Sequence, residues 1–387
     1  MKVVIYSRVF APEIGGVETL VMSLAEGLAR SDARYGGAPW DITVVTPTPA
    51  RGFEDSLPFR VVRRPSLRQF LRLLREADIV HLAGPALLPL LFGLFLGKPV
   101  VIEHHGFQTI CPNGQLHYEP TQMPCPGHFM ARRHWECLRC NSKYGSLQSL
   151  KMWLLTFPRR WLCYGASRNI TPTGWLASVL KLPRSTTVLH GVRNHASGAD
   201  AKTPPPPTFA FLGRLVSTKG VHILLEAAQR LKEKGLVFQL KIIGDGPERR
   251  NLEARTGALQ LEDRVTFLGH LPPGKLEETL AQARAIVVPS LGGEVFGLVA
   301  AENMMRGRLL IVSEIGALAE VVGDAGLRFS PGDVEGLAGC MQRVLESPEL
   351  VAEFGRKAWE RAAHLFAQER MVEDHKSVYR EVVSRKG

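Results

Sequence analysis

The chain carries the stretch Pro289-Ser-Leu-Gly-Gly-Glu-Val-Phe-Gly-Leu-Val-Ala-Ala-Glu302, and the interpretation of its fold begins there. An apolar run, residues 285–289, leads into this glycine-rich loop, and an apolar helical pattern follows it. Strand, loop and helix in this order form a βα unit, whose loop lies at the carboxyl end of the strand. Glycines there let backbone N–H groups approach a ligand, and the start of the helix favours an anion. Two carboxylates, Glu294 and Glu302, stand eight positions apart and can accept hydrogen bonds from hydroxyl groups.

The same alternation of strand-like runs and helix-like segments extends over most of the chain and predicts parallel sheets covered on both faces. It restarts after residues 201–207, where four consecutive prolines predict a linker. The predicted architecture is therefore α/β, with two doubly wound, Rossmann-like domains, residues 1–200 and 201–387, facing a central cleft. The terminal helix would pack back on the first domain. The predicted strands are residues 2–7, 41–46, 78–82, 99–103, 169–171, 209–213, 239–244, 264–268, 285–289, 309–312 and 327–329.

Length and composition limit the class of protein. With 387 residues, 45% of them hydrophobic and 22% charged, the chain is long enough for two folded domains and is not disordered. Its longest apolar stretch, residues 86–96, is too short to cross a bilayer. The N-terminus lacks a signal-peptide pattern, so a cytoplasmic location is predicted, with cysteines present as thiols or metal ligands.

A pair of cations follows the first strand after the linker. Gly213 ends that strand, Arg214 comes directly after it, and Lys219 lies five residues further on at the start of a helix. Arginine can bind a diphosphate through forked hydrogen bonds, and lysine acts on it as a point charge. The pair forms either a diphosphate clamp or two solvated cations at a helix start, and the residues alone leave both interpretations open.

Two candidate sites lie in the first half of the chain. Gly15 and Gly16 stand between the first strand and its helix, where they form either a ligand-binding turn or a tight connection. The strand at residues 99–103 runs into His104 and His105. A histidine at the end of a strand is either an active-site group or a polar residue with a structural partner.

Taken together, these motifs resemble the signature of the retaining GT-B glycosyltransferases of family 4. The spacing Glu294-x7-Glu302, with Phe296-Gly297-Leu298 inside it, carries most of the resemblance. The resemblance implies that the second domain binds a nucleotide-sugar, UDP- or GDP-linked, and that the first domain binds the acceptor. Further matches, in the expected order, are Gly15-Gly16-Val-Glu18, Asp78-Ile-Val-His81, His190-Gly-Val192, Gly213-Arg214 with Lys219-Gly220, Gly244-Asp-Gly-Pro-Glu248, Val265-x-Phe-Leu-Gly269 and Gly316-x3-Glu320.

The resemblance also assigns a role to each matching position. Arg214 and Lys219 would neutralise the leaving diphosphate, Glu302 would bind the ribose hydroxyls, and Glu294 would contact the donor sugar. Together with these, the donor would be bound at Gly15, Gly16, Gly213, Phe296, Gly297 and Leu298.

The catalytic group of the first domain follows from the same resemblance. His105 resembles the family's active-site histidine near the transferred sugar, and its neighbour His104 is the alternative. The implied reaction retains the anomeric configuration, and it needs no metal or other cofactor because paired cations meet the leaving group. The implied acceptor is a saccharide or lipid-linked saccharide, as in the synthesis of bacterial surface polysaccharides.

Four of the six cysteines lie in one segment, residues 106–145, interpreted as an insertion in the first domain. They are Cys111, Cys125, Cys137 and Cys140, and the last two have the C-x2-C spacing of a metal knuckle. Four thiolates predict a structural zinc ion, which would order a segment rich in proline and glycine. The alternatives are an iron–sulfur cluster and a loop with reduced thiols.

The excess of positive charge is confined to the first half of the chain. Residues 1–195 hold 23 Lys and Arg against 12 Asp and Glu, whereas residues 196–387 hold 25 of each kind. Basic residues alternate with large apolar side chains in segments 67–75 and 147–164. Such segments either lie on an anionic membrane surface or pack their apolar faces on the sheet. The first alternative predicts a peripheral protein on the inner face of the cell membrane.

Two other functions fit parts of this pattern. A nucleotide-sugar epimerase or hydrolase on the same fold would convert the sugar nucleotide without an acceptor. A nucleic-acid-binding protein would fit the net charge of +11. The sequence contains no recognisable helix-turn-helix, RNP motif or finger spacing, so nucleic acid is not predicted as a partner.

Overall fold

The computed structural model describes residues 1–13, 15–30, 39–50, 52, 57–194 and 207–385. Contacts within the chain divide it into two compact units. Unit 1 comprises Met1–Gln115, Gly127–Gly191 and Leu365–Gly387, and unit 2 comprises Leu116–Pro126 and Val192–His364. The predicted linker, residues 201–207, lies outside the described residues apart from Pro207.

Unit 1 contains a seven-stranded parallel sheet with the strand order β3-β2-β1-β4-β5-β8-β9. The central strands are almost wholly apolar, as strands buried on both faces must be. Its strands are β1 Lys2–Ser7, β2 Asp41–Thr46, β3 Arg60–Arg63, β4 Ile79–Ala83, β5 Val100–Glu103, β8 Arg168–Thr171 and β9 Ser185–Thr187. Its helices are α1 Gly16–Ala29, α2 Leu67–Glu76, α3 Leu87–Phe95, α4 His134–Cys140, α5 Ser146–Cys163, α6 Gly174–Leu180 and α14 Gln368–Ser384.

Unit 2 contains a six-stranded parallel sheet with the order β12-β11-β10-β13-β14-β15. A short antiparallel hairpin, β6 His117–Tyr118 and β7 Met123–Pro124, belongs to the same unit. The sheet strands are β10 Thr208–Leu212, β11 Gln239–Ile243, β12 Val265–Gly269, β13 Ala283–Val288, β14 Leu310–Ser313 and β15 Leu327–Phe329. The helices are α7 Val221–Glu233, α8 Arg249–Ala258, α9 Pro273–Ala281, α10 Leu298–Met305, α11 Gly316–Val322, α12 Val334–Glu346 and α13 Glu349–Leu365.

Two parallel sheets with helices confirm the predicted α/β class. The sequence missed β3 and β9, which form the two edges of the sheet in unit 1. Their sequences, Arg-Val-Val-Arg and Ser-Thr-Thr, are too short and too polar to stand out as buried strands. Edge strands need fewer apolar residues than central ones because one side meets solvent or loops.

The loops after β10 and β13 approach each other closely in unit 2. Gly220 has a φ of +66°, in the left-handed region, and a Cβ atom added there would overlap the carbonyl oxygen of Pro289. The amide of Leu291 donates to the carbonyl oxygen of Thr218 at 2.8 Å. Because β10 and β13 are adjacent parallel strands, both loops leave the same edge of the sheet. Glycine at position 220 therefore allows the two loops to touch.

Replacement of Gly220 by alanine is expected to destabilise the protein more than the same change at Gly235. Both glycines have positive φ angles, +66° and +72°, which cost alanine about 1–2 kcal/mol each. Only Gly220 adds the overlap with Pro289, since no described atom lies within 4 Å of a Cβ at Gly235. Denaturant titration of both variants measures the difference, and equal losses of unfolding free energy would contradict the proposed close approach.

Candidate active site

The loops after β10 and β13 in unit 2 bring together a charged pair that the sequence predicted as part of one site. Lys219 forms an ion pair with the Glu294 carboxylate, and the Ser290 hydroxyl donates to the same carboxylate at 2.8 Å. The Lys219 side chain is 29% exposed and that of Glu294 is 10% exposed. The structure thus brings a cation and a carboxylate together at the carboxyl edge of the sheet, where one of them remains open to solvent.

Arg214 stands on the same loop as Lys219, directly after β10. The residue is exposed, whereas its neighbour Leu215 is buried and donates its amide to the Asp245 carbonyl oxygen at 2.9 Å. Gly213 donates its amide to the Ile243 carbonyl oxygen at 3.0 Å, which holds the start of the loop to β11. The loop backbone is therefore fixed while the guanidinium group stays accessible to a ligand.

Helix α10 begins directly after the glycine-rich loop that follows β13. Gly297, at its N-cap, has a φ of +90°, and no side chain caps the helix, so backbone N–H groups of the first turn are available to an anion. Phe296 is buried beneath the turn. Glu302 lies one turn further along, half-buried, and burial raises the pKa of its carboxyl group. These positions, with Leu298, are the donor-binding set predicted for this unit.

Gly15 and Gly16 belong to unit 1, at the start of α1. No side chain caps this helix either, and a Cβ at Gly15 would collide with the Glu18 carboxylate. Burial raises the pKa of Glu18, while a hydrogen bond from its own backbone amide acts in the opposite direction. A side-chain carboxylate thus lies against the turn that the sequence leaves open either as a ligand-binding turn or as a tight connection.

A buried carboxylate, Glu103, lies at the end of β5 in unit 1 and was missed by the sequence analysis. Imidazole nitrogens of four histidines surround it: His190 Nε2 lies 3.3 Å from Oε1, and three others face Oε2. The Nε2 atoms of these three are at 3.3, 3.6 and 3.5 Å, and they belong to His81, His105 and His375. A charged residue closing an otherwise apolar strand, Val100-Val-Ile-Glu103, was the signal that could have revealed it.

The charges in this cluster follow from burial and hydrogen bonding. Burial alone would raise the pKa of Glu103, but His105, His375 and His190 hold it well below its usual range. Burial also disfavours a charged His375, yet the Glu103 carboxylate raises the pKa of that histidine above its ordinary value. Burial lowers the pKa of His81, and it lowers that of His105 to about 3. These directions favour an ionised Glu103 and a protonated His375.

The two adjacent histidines at the end of β5 have different surroundings. His104 is fully buried, with Nε2 2.9 Å from the Asn169 amide oxygen, and burial lowers its pKa to about 4. Asn169 in turn donates to the carbonyl oxygens of Cys163 and Pro183 at 3.1 and 2.9 Å. His104 is thus bound into a structural network, while His105 faces Glu103.

The structure gives no support to the predicted zinc site. Within the described residues of unit 1, the sulfurs of Cys111, Cys137 and Cys140 do not come within mutual ligand distance, and Cys125 belongs to unit 2. The side chain of Asn113 lies between two of them, with Oδ1 3.0 Å from Cys111 Sγ and Nδ2 4.0 Å from Cys140 Sγ. The zinc site therefore stays a prediction.

An aromatic cluster orders part of the cysteine-rich segment instead. Phe129 and His134 pack against Trp153 and Phe157 of α5, with ring centroids 5.0 to 5.6 Å apart. Aromatic pairs at these separations add to the stability that burial provides. These contacts join the segment to the helix that follows it, so the sequence of the segment alone does not reveal them.

Helices α2 and α5, both rich in basic and apolar residues, differ in how they pack. Helix α2 buries Phe70, Leu73 and Leu74, so its apolar face packs on the core. Helix α5 does the opposite and exposes an apolar stripe at intervals of three and four residues, which places the side chains on one face. The stripe consists of Leu147, Leu150, Leu154, Phe157 and Trp161, which are 82%, 41%, 51%, 41% and 74% exposed.

Neighbouring features enlarge this apolar stripe. Helix α3 packs against α5 and exposes Leu88, Leu91 and Phe95, the last of them 86% exposed. Residues 137–199, which include α5, contain nine Lys or Arg and no Asp or Glu. In the described part of the chain, no helix is both long and apolar enough to span a membrane. Exposed apolar side chains on two packed helices and an excess of basic residues in the sequence thus occur in the same part of unit 1.

Comparison with known families gives two matches that together extend over most of the chain. Residues 14–190 match the model described as "Glycosyltransferase Family 4". Residues 194–361 match the model described as "Glycosyl transferases group 1". The order of the two matches follows the order of units 1 and 2 along the chain.

Curated relatives match over part of their length. The chain is 32% identical over 144 residues to 2-deoxystreptamine glucosyltransferase of Streptomyces kanamyceticus, 37% of each chain. It is 29% identical to alpha-D-kanosaminyltransferase of the same organism, over 46% of each chain. It is 34% identical to D-rhamnosyltransferase WbpZ of Pseudomonas aeruginosa, over 42% of each. The matches thus span less than half of these relatives.

Solved structures match over the full length and establish the fold. The sucrose-phosphate synthase of Thermosynechococcus elongatus has a TM-score of 0.73 at 21% identity, covering 99% of both chains. HepE of Anabaena, in complex with UDP and glucose, has a TM-score of 0.68 at 17% identity, covering 98% of this chain and 99% of that one.

Acidification from pH 7 to pH 5 is expected to lower the free energy of unfolding. His81, His104 and His105 take up protons near pH 6.5 in the unfolded chain but stay neutral when buried, so the folded state binds fewer protons. At pH 5 the penalty is on the order of 2 kcal/mol for each of His104 and His105. The raised pKa of His375 acts in the opposite direction, because its stabilisation is present at low pH and disappears as the pH rises through the folded-state value.

Denaturant titration of the His104→Gln variant at both pH values isolates one of these contributions. The loss of stability between pH 7 and pH 5 should become smaller by about 2 kcal/mol, since one buried neutral imidazole is removed. A pH dependence equal to that of the unmodified chain would contradict the assignment of His104 as buried and neutral.

Proposed function

Because the chain belongs to the GT4-type glycosyltransferases with the GT-B fold, we propose that it transfers a sugar from a nucleotide-sugar to an acceptor hydroxyl. The observation that carries the proposal is the ion pair between Lys219 and the Glu294 carboxylate in unit 2, with the exposed Arg214 on the same loop as Lys219. The loops after β10 and β13 thus offer positive charge for a diphosphate and a carboxylate for sugar hydroxyls at one edge of the sheet.

The two cations serve the leaving group. Cleavage of the bond between sugar and phosphate develops negative charge on the nucleoside diphosphate, and fixed cations stabilise that charge most in the transition state. Arg214, which is exposed on a fixed backbone, and Lys219, which is 29% exposed, are both accessible to it. They supply the positive charge that the departure of the diphosphate requires, so we propose catalysis that is independent of a metal ion.

The carboxylates and the helix start bind the remainder of the donor. Entry of the diphosphate would release Lys219 from Glu294, which frees the Glu294 carboxylate for hydroxyls of the sugar. Glu302 would accept hydrogen bonds from the ribose hydroxyls, and the open amides at Gly297 and Leu298 would face phosphate oxygens. Solved HepE structures contain UDP and UDP-glucose, which makes UDP the first nucleotide to test.

Unit 1 would provide the active-site histidine and the acceptor site. We assign the histidine as His105, since His104 is hydrogen-bonded to Asn169. Transfer would retain the anomeric configuration, as the resemblance to the E-x7-E enzymes implies. The acceptor is proposed to be a saccharide or a lipid-linked saccharide, because relatives include glucosyl-, kanosaminyl- and rhamnosyltransferases and a phosphatidyl-myo-inositol mannosyltransferase.

We also propose that the protein binds anionic membrane surfaces through α3 and α5. The apolar stripe of α5 and the exposed end of α3 supply area that water disfavours, and the flanking cations are attracted to acidic headgroups. A peripheral enzyme placed in this way would meet a lipid-linked acceptor at the surface that carries it.

Replacement of Lys219 by alanine is expected to lower the rate of transfer by roughly 100- to 1000-fold, the usual effect of removing one donor to a developing anion. Radiolabelled sugar nucleotides with and without saccharide acceptors measure the rate, and thermal shift measures donor binding. Lys232→Ala is the matched control, because Lys232 pairs with Asp263 and the Gln260 carbonyl at the surface of the same unit.

Three outcomes of this experiment oppose the proposal. The assigned role of Lys219 is wrong if Lys219→Ala and Lys232→Ala transfer sugar at equal rates. Stabilisation by none of a panel of UDP- and GDP-sugars would argue against a donor site in unit 2. Conversion of the sugar nucleotide in the absence of any acceptor would instead indicate an epimerase or hydrolase.

Replacement of Trp161 or Phe95 by serine is expected to weaken binding to vesicles that contain anionic lipid. Each of these side chains would be buried in the lipid when the protein is bound, so its loss is expected to lower the affinity for vesicles by roughly tenfold or more. Val237→Ser is the control, since Val237 is 59% exposed but lies in unit 2. Sedimentation with vesicles at rising salt concentration measures binding, and equal binding of all three variants would refute the assigned surface.

A further inference from the structure

The hydrogen-bond partners in the Glu103 cluster also indicate which ring nitrogens carry protons. The Nδ1 atom of His375 lies 2.8 Å from the Met371 carbonyl oxygen, which can only accept, so Nδ1 carries a proton. The Nε2 atom of the same ring lies 3.5 Å from Glu103 Oε2, and a lone pair there would face a carboxylate. Both ring nitrogens of His375 are therefore protonated, and the ring is the counter-ion of Glu103.

The same argument fixes the tautomer of His81. Its Nε2 atom lies 3.3 Å from Glu103 Oε2 and carries the proton that faces the carboxylate. Its Nδ1 atom, 2.8 Å from the Tyr379 hydroxyl, is then the acceptor of the hydroxyl proton. His81 is neutral, and its position depends on Glu103 on one side and on α14 on the other.

His105 is the member of the cluster that the proposed function uses. Its Nε2 atom lies 3.6 Å from Glu103 Oε2, too far for a hydrogen bond but close enough for the carboxylate to favour a proton on that nitrogen. Its ring lies against that of His190, tilted by 34° with centroids 5.3 Å apart, and His190 Nε2 contacts the other carboxylate oxygen. Nδ1 of His105 is thereby left as the hydrogen-bond acceptor.

Helix α14 connects the last residues of the chain to this cluster. Met371, His375 and Tyr379 recur every four residues and share one face. Met371 Sδ accepts from the amide of Gly191 at 3.0 Å, next to His190. The helix thus contacts the backbone beside one histidine, the carboxylate, and a second histidine.

We propose that Glu103 is a positioning residue for transfer, which holds His105 in one orientation and tautomer, and that α14 completes the arrangement by supplying His375 as the counter-ion. This inference rests on the proposed function, because it requires His105 to act on the donor sugar. Glu103 itself touches no substrate in this arrangement and acts through His105, as a carboxylate orients the histidine of a catalytic pair.

The following variants distinguish a positioning role of Glu103 from a role limited to balancing the charge of His375. Glu103→Gln keeps the shape of the side chain but removes its charge. This variant should lower kcat by roughly 10- to 100-fold, while the affinity of unit 2 for the donor should change less than twofold. It should also lower Tm, because His375 loses its counter-ion. The double variant Glu103→Gln/His375→Gln removes both charges and should recover most of the Tm but not the kcat.

Controls distinguish the possible failures. His104→Gln perturbs an adjacent buried histidine and should lower Tm while changing kcat less than threefold. The proposal is overturned if the double variant regains full kcat, or if kcat falls equally in Glu103→Gln and His104→Gln at the same loss of Tm. Should Glu103→Gln fail to fold, the double variant alone decides.

His105→Ala tests the proposed function separately, with loss of transfer and unchanged donor binding as the expected result. Full transfer by His105→Ala would show that the assigned active-site histidine is wrong, whatever Glu103 does. Loss of transfer in His105→Ala together with wild-type kcat in the double variant would leave the proposed function intact and reject the positioning role.

Discussion

A carboxylate removed from water has to be neutralised, and in unit 1 this requirement organises the structure around Glu103. The neighbouring strands β4 and β5, the segment at residue 190 and helix α14 each bring an imidazole to it. An uncompensated buried charge would cost several kcal/mol, so these elements are held in place by more than apolar packing. The price of burying the charge is offset by one imidazolium and by contacts that also fix the orientation of His105.

The charged groups of unit 2 also lie at the carboxyl edge of a parallel sheet, but they are less buried than Glu103. These charges are partly open to solvent, and Lys219 is paired with Glu294. An ion pair that can be broken suits the proposed binding of a diphosphate, because the cation would exchange one anionic partner for another. The backbone around the pair is rigid, with Gly220 against Pro289 and Leu291 bonded to Thr218. Preorganised charge on a fixed backbone is what electrostatic catalysis requires.

In the cysteine-rich segment the structure shows contacts that the spacing of the cysteines did not indicate. Spacing between cysteines is a one-dimensional property, whereas a metal site requires four sulfurs at the corners of one tetrahedron. In the structure Asn113 lies between two of the thiols, and rings on α5 pack against Phe129 and His134. Aromatic packing against a helix that begins after the segment leaves no periodic signal, so the sequence pointed to metal ligands where the structure has ring contacts.

The sequence by itself determined the two parallel α/β sheets, because the alternation of buried strands and helices is a local pattern. It also determined the placement of Lys219 and Glu294 at one edge, since loops that follow neighbouring parallel strands emerge together. Only the tertiary structure decided that Tyr379 meets His81, 298 residues away, and that His375 balances Glu103. The tertiary structure alone also decided that α2 packs its apolar face on the core, whereas α5 exposes an apolar face. Both outcomes depend on contacts between segments that are far apart in the sequence. The pattern of apolar residues within one segment does not specify such contacts.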